Sequence, residues 1–221
     1  MGLDHIIDAH VHFDCASKEV LAKHREEYGR FMDEYEVSAA CVMAKSTYHI
    51  EFFDEHERLL ELGQKDDRIF PIINFDVPYA DDECLKAVEE WLGKDLAVAV
   101  KIYPGYDPFY PHEHPRSLEL CSLLERLGKP LIVHTGDTVT SNGRLRYAMP
   151  IHLDEICVRF PTLKVIMAHI GNPFFDEAQA VIYKNENLKA DGSGLFMSYA
   201  DEFTIDVYVE QLIERFRMLF A

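Results

Sequence analysis

Short apolar runs and longer amphipathic stretches alternate along the chain. The runs, rich in Val, Ile and Ala, are Ile6–Phe13, Ala39–Lys45, Ile69–Asp76, Leu96–Tyr103, Leu131–His134, Leu163–His169 and Asn187–Gly192. They recur about every 30 residues, near the size of one strand-and-helix unit. Between them, Lys18–Tyr35 places Val20, Leu21, His24, Tyr28, Phe31 and Met32 near helical spacing behind Ser17, a good N-cap. Asp81–Trp91 opens on a carboxylate cap. Pro115–Leu127 has proline in its first turn and stops at Gly128-Lys129-Pro130. Ile151–Phe160 ends before Pro161, and Thr204–Phe216 closes the series. The acidic clusters Asp54-Glu55 and Asp81-Asp82-Glu83 suit helix starts, where they complement the dipole. Strand–helix alternation predicts a parallel sheet, either open and doubly wound or closed as a (β/α)₈ barrel. No G-x-G-x-x-G follows the first run, so the dinucleotide-binding variant of the open sheet is not indicated.

Composition narrows the function classes. The 221 residues carry 39 acidic and 22 basic side chains, a formal charge of −17. A binder of nucleic acid or of an anionic membrane needs a basic face, so neither partner is expected. No apolar run reaches bilayer-spanning length, and the start lacks a signal peptide's basic and apolar regions. Five widely spaced cysteines, an odd number, suit reduced thiols and a cytoplasmic protein. One domain over residues 1–221 is expected, since barrels of this class exceed the usual domain length.

The chemistry-bearing residues sit at the ends of the runs. In Ile6–Phe13 strict alternation would put Asp8, His10 and His12 on one face and Ile7, Ala9 and Val11 on the other. Two imidazoles one pleat apart can share a cation at ~2.0–2.1 Å. Leu131–His134 and Leu163–His169 each end in a histidine followed by a glycine-containing turn. In parallel α/β folds the strand C-termini converge on the active site. One such histidine fits a satisfied core residue; the set fits a metal centre better.

These segments resemble the metal-dependent amidohydrolase superfamily. The nearer likeness is to the amidohydrolase-2 branch, which contains enzymes like aminocarboxymuconate semialdehyde decarboxylase. The matching stretches are Ile7–His12, Val100–Pro104, Pro130–Gly136, Phe160–Gly171 and Asn187–Gly194, in order and at the right spacing. The resemblance implies a (β/α)₈ TIM barrel. It implies a divalent ion, zinc first among candidates, held by His10, His12 and His134. His169 would be a catalytic acid or electrophile, or a ligand of a second metal. Lys101 stands where some members carry a carboxylated lysine bridging two metals; it is read as an unmodified, catalytic lysine or one that places an acidic substrate group. Tyr103 would contact substrate. The family's eighth strand supplies an aspartate that binds the metal and takes a proton from water. Met218–Ala221 matches the opening of that strand, so the barrel as given would stop within or just after its start. The natural product is expected to continue past Ala221; within the sequence, Asp191 is the nearest carboxylate by location though not by motif.

The expected activity is hydrolysis of a small amide, ester or lactone. The alternatives are decarboxylation or hydration of a small unsaturated carboxylic acid, and a non-catalytic barrel fragment used in binding or assembly. Arg144 and Arg146, with Tyr147, follow the fifth run and could hold a substrate carboxylate or make surface pairs. The proline- and aromatic-rich loop Pro104–Pro115 would build the pocket; His112 and His114 within it suit solvated histidines, and Cys15 shows no base to activate it. His152 and Asp154 would cap or pair locally. A small molecule is the expected partner, and a homodimer the expected assembly if one forms.

Overall fold

A computed structural model describes residues 6–44 and 52–195. Among the described residues there are seven strands: β1 (Ile6–Phe13), β2 (Val37–Ala44), β3 (Ile69–Asn74), β4 (Ala99–Ile102), β5 (Leu131–Val133), β6 (Val165–Met167) and β7 (Leu188–Ala190). Each is parallel to its neighbours, and sheet order follows chain order. The helices between them are α1 (Lys18–Glu34), α2 (Phe52–Lys65), α3 (Asp82–Gly93), α4 (Pro115–Leu127), α5 (His152–Arg159) and α6 (Phe175–Lys184). The strands curl as an incomplete (β/α)₈ barrel. β1 and β7 share no ladder, yet His10 Nδ1 and Asp191 Oδ2, just past β7, lie 3.0 Å apart.

The helix boundaries follow from the sequence chemistry. Ser17 Oγ accepts the Val20 N–H at the head of α1. Asp81 accepts the N–H groups of Glu83 and Cys84 at the head of α3. Pro115 opens α4, and Gly128 ends it in the left-handed conformation at φ 66°. The structure adds one helix to those expected, α6, and gives the helix start expected at Asp54-Glu55 its full extent. α2 extends well beyond its acidic opening and buries His56, Leu59 and Leu60. α6 buries Phe175, Ala178 and Val181. The helix expected over Thr204–Phe216 and the strand expected from Met218 lie outside the described residues.

Two layers of apolar side chains hold the strands. On the outer side Val100, Ile102, Leu131, Val133, Val165 and Met167 pack under the helices with Trp91, Leu120, Leu124 and Ile156. On the inner side Met43, Ile72, Ala99 and Ile132 form one cluster with Ala168. Side chains two positions apart share a face. The inner layer therefore continues, toward the strand C-termini, into Asn74, Lys101 and His134, all buried.

One expectation about β1 is corrected. Asp8 does not share the face of His10 and His12. Asp8 pairs in register with Ala40 and Val11 with Val42, so an extra β1 residue lies between them. This bulge breaks the alternation. The Asp8 carboxylate is turned onto α1, where it accepts the Tyr28 hydroxyl at 2.7 Å.

Candidate active site

The four strand-end histidines gather at the C-terminal mouth of the sheet. Ring centroids of His10 lie 5.3 Å from His12 and 5.1 Å from His169. His169 and His134 are 5.0 Å apart. His10 and His12 reach the mouth from β1. His134 follows β5 directly. His169 leaves β6 through a tight turn, with φ 62° at His169 and φ 45° at Ile170. This is why β6 is shorter than the apolar run predicts. Left-handed backbone at non-glycine residues costs free energy and persists where the surroundings over-determine it. Here Thr135 Oγ1 donates to the Ala168 carbonyl at 2.6 Å, and the Asp137 N–H donates to the Asn172 carbonyl at 2.7 Å. Gly136 lets those loops meet: its φ is 86°, and a Cβ there would collide with the Asn172 carbonyl.

Lys101 rises from β4 into the same space and is fully buried. Its Nζ is 3.3 Å from His10 Nε2 and 5.3 Å from the Tyr103 ring centroid. Burial lowers its pKa to about 7, against the opposing pull of Asp191. Burial, then the Lys101 charge, lowers His169 to about 4. The same causes, with His169 added, hold His134 well below the usual histidine range. His12 has the most open surface of the set; the burial it retains, then His10 and Lys101, hold it at about 3. These imidazoles are therefore neutral at pH 7, the form that ligates metals.

Hydrogen bonds fix which nitrogens face the mouth. His134 Nε2 lies 2.9 Å from the Asp137 carbonyl. His169 Nδ1 lies 2.8 Å from the Ser193 carbonyl. A carbonyl only accepts, so each of these nitrogens carries the hydrogen and its ring partner keeps a lone pair. Asp191, which the sequence offered only as a substitute by location, proves central. It accepts the His169 N–H at 3.2 Å, the Ser193 N–H at 3.0 Å and the Ser193 hydroxyl at 2.5 Å, besides meeting His10. Burial pushes its pKa up, but these hydrogen bonds and His10 outweigh that and hold the carboxyl well below the usual range.

The other expected residues divide between the mouth and the surface. Tyr103 lines the mouth: its ring stacks 6.3 Å from His134, and its hydroxyl donates to Asn74 Oδ1 at 3.1 Å. Tyr106 packs on His134 at 4.8 Å. Arg144 and Arg146 are exposed on the loop after β5. The Arg146 guanidinium covers the Tyr147 ring at 4.6 Å and donates to its hydroxyl at 2.7 Å. His112 stacks on His152 at 4.9 Å, away from the strand-end set. His152 Nε2 meets the Arg146 carbonyl, and Asp154 pairs with Lys184 and Asn185 of the next unit, not locally. All five cysteines are free, and burial raises Cys15 to about 12, so it is no nucleophile.

Among the described residues one group of three offers ligand atoms mutually within 4.8 Å: His10, His169 and Asp191. Imidazole nitrogens with a carboxylate are a donor set that suits zinc and similar divalent ions. The structure thus brings Asp191 to the centre with His10 and His169, and sets His12 and His134 on either flank.

The amidohydrolase family profile matches residues 7–221. The chain belongs to this amidohydrolase family. No curated protein matches it. Among solved structures the amidohydrolase resembles a candidate 2-pyrone-4,6-dicarboxylic acid hydrolase from Pseudomonas putida. That match has 12% identity and a TM-score of 0.68, covering 100% of this chain and 80% of the other. It also resembles 4-oxalomesaconate hydratase from Rhodopseudomonas palustris, with 14% identity, TM-score 0.61 and coverage of 94% and 78%. Dihydroorotase from Campylobacter jejuni matches at 19% identity, TM-score 0.55 and coverage of 94% and 64%. At these identities the likeness is one of fold. No helix among the described residues is long and apolar enough to cross a membrane.

Proposed function

We propose that this amidohydrolase is a metal-dependent enzyme that hydrolyses a small amide, ester or lactone. Family membership supports a hydrolase or a related lyase. The observation that carries the finer proposal is the gathering of His10, His12, His134 and His169 with Asp191 around a buried lysine at the strand C-termini. His10, His12 and His134 would hold a divalent ion, zinc first among candidates, with Asp191 behind His10 on its Nδ1 side. Such an ion polarises a carbonyl and brings the pKa of water toward ~7.

The chain's own groups supply the rest. His169, with hydrogen on Nδ1, offers Nε2 as a proton acceptor for an attacking water and can return that proton to the leaving group. Lys101, poised near pH 7 inside the barrel, can place a cationic N–H against oxygen as negative charge develops there. Tyr103 and Tyr106 wall the mouth beside His134 and restrict water. The same lysine favours an anionic substrate. That observation supports the second reading, hydration or decarboxylation of a small unsaturated carboxylic acid.

The test is purification of the full chain with its metal measured, followed by assay of lactones, esters, amides and unsaturated dicarboxylates. Chelation should abolish turnover and zinc should restore it. Turnover unaffected by complete metal removal would overturn the proposal. Turnover of the unsaturated acids alone would select the second reading.

A further inference from the structure

The Ser193 hydroxyl lies where three site residues meet. It is 2.7 Å from His10 Nδ1, 3.0 Å from His169 Nδ1 and 2.5 Å from Asp191 Oδ1. A hydroxyl has one hydrogen to give and can accept others. Asp191 is ionised and only accepts, so the serine hydrogen goes to Asp191. His10 Nδ1 faces two acceptors, Ser193 Oγ and Asp191 Oδ2. It must therefore carry the hydrogen. His169 Nδ1 faces the Ser193 carbonyl and Ser193 Oγ, and it too must carry the hydrogen. Hydrogen on Nδ1 of both rings satisfies every one of these contacts. Lys101 Nζ, a donor, lies 3.3 Å from His10 Nε2 and leaves that nitrogen to accept, and in a neutral His169 ring the Nε2 turned away from Ser193 carries no hydrogen.

We infer that Ser193 is a positioning residue, which with Asp191 locks His10 and His169 in the Nδ1–H tautomer so that their Nε2 atoms are ready to ligate or to take a proton. The loop after β7 is shaped for this role. Asp191 Oδ1 collects the Ser193 N–H as well as its hydroxyl, closing a tight turn that aims the hydroxyl back at β1 and β6. Gly194, at φ 74°, lies against the His169 ring, where a Cβ would come within 3.4 Å of Nδ1. The neutral imidazole has two tautomers of similar energy in water, and the partner of one nitrogen decides which is populated. Second-layer hydrogen bonds of this kind set ring orientation and ligand basicity, and their loss weakens metal binding by roughly 10–100-fold.

This inference rests on the proposed metal site for its consequence but not for its geometry, and the test separates the two. The full chain is labelled with ¹⁵N-histidine, and the metal-free protein is examined at pH 8 by long-range proton–nitrogen correlation. In the wild type His10 and His169 should show the Nδ1–H pattern. In Ser193→Ala the His10 ring, which loses the shorter of its two Nδ1 acceptors and keeps only Asp191, should show a raised share of the other tautomer, while His169, which keeps the Ser193 carbonyl, should not. Ser193→Thr, which keeps the hydroxyl, should restore the wild-type pattern. Zinc affinity, measured by competition with a chelating dye, should fall by roughly 10–100-fold in Ser193→Ala and recover to within about threefold in Ser193→Thr. Unchanged tautomers in Ser193→Ala overturn the inference. If Ser193→Ala does not fold, Ser193→Gly, which also removes the hydroxyl, is used, and wild-type tautomers in that variant overturn the inference equally. A wild type that shows both Nδ1–H rings yet binds no zinc leaves the positioning role standing and removes the metal proposal.

Discussion

His10 and Asp191, 181 positions apart, meet at 3.0 Å and join the first strand to the turn after the seventh. No backbone ladder does so among the described residues. The carboxylate also takes hydrogen bonds from the His169 N–H and from both donors of Ser193. Asp191→Ala would leave these donors without a partner in a largely enclosed site. Hydrogen bonds to a charged group are worth about 1.5–3 kcal/mol, and part of the gap admits water. The variant should be less stable by roughly 2–3 kcal/mol in urea unfolding, with an unchanged m-value. A loss below about 1 kcal/mol would show that the contact does not hold the two strands.

Metal loading gives a second expectation. His10 and His12 share β1, and their rings are neighbours at 5.3 Å. Replacing both with alanine removes two donors from one side of the proposed site. Elemental analysis of the purified double variant should find no stoichiometric zinc. An unchanged zinc content would sink the assignment of these two residues.

Lys101→Met keeps the length of the side chain and removes its amine. The lysine is fully buried beside His10, and methionine fills such a site without the burial cost of a charge. The fold should be retained, by circular dichroism and thermal melting. Turnover should fall by on the order of 10²-fold, the scale of losing one acid–base or oxyanion-stabilising group. Undiminished turnover would reduce Lys101 to a spectator.

Much of this site could be read from the sequence because its parts are local. His134 and His169 each follow an apolar run, and Lys101 lies near the end of another. Their convergence follows from the parallel barrel once that is inferred. The Ser193–Asp191 cluster was not legible in the same way. Its meaning comes from the approach of the β7 turn to β1 and β6, a contact that no spacing in the chain encodes. The bulge after Asp8 hid itself for a related reason. Alternation predicts a face only while the pleat is regular, and one extra residue reversed Asp8 toward Tyr28. The signal for α2 was present in Phe52, His56, Leu59 and Leu60, but a histidine in an apolar stripe does not announce that it is buried.

That buried histidine leads to a prediction about pH. His56 Nδ1 lies 2.5 Å from the Phe52 carbonyl, so it carries the hydrogen and donates. His56 Nε2 accepts the Asn74 N–H at 2.9 Å. Asn74 in turn accepts the Tyr103 hydroxyl and donates to the Ala44 carbonyl, so His56 supports the mouth from behind. A second proton on Nε2 would face a donor. Burial lowers the pKa to about 4, against the pull of the Phe52 carbonyl. The unfolded chain takes up this proton near pH 6.5, whereas the folded protein resists it until about 4. Between those values the unfolded state binds more protons, so stability falls as pH falls. The contribution is complete above pH 6.5, declines by up to about 1.4 kcal/mol per unit, and is spent below pH 4. His12 and His169 act in the same direction, so wild type alone does not isolate the effect. His56→Gln keeps an acceptor and a donor but does not titrate. From pH 7 to pH 4, wild type should lose roughly 2–3 kcal/mol more unfolding free energy than this variant. Equal losses in the two proteins would show that His56 is not held neutral by the fold.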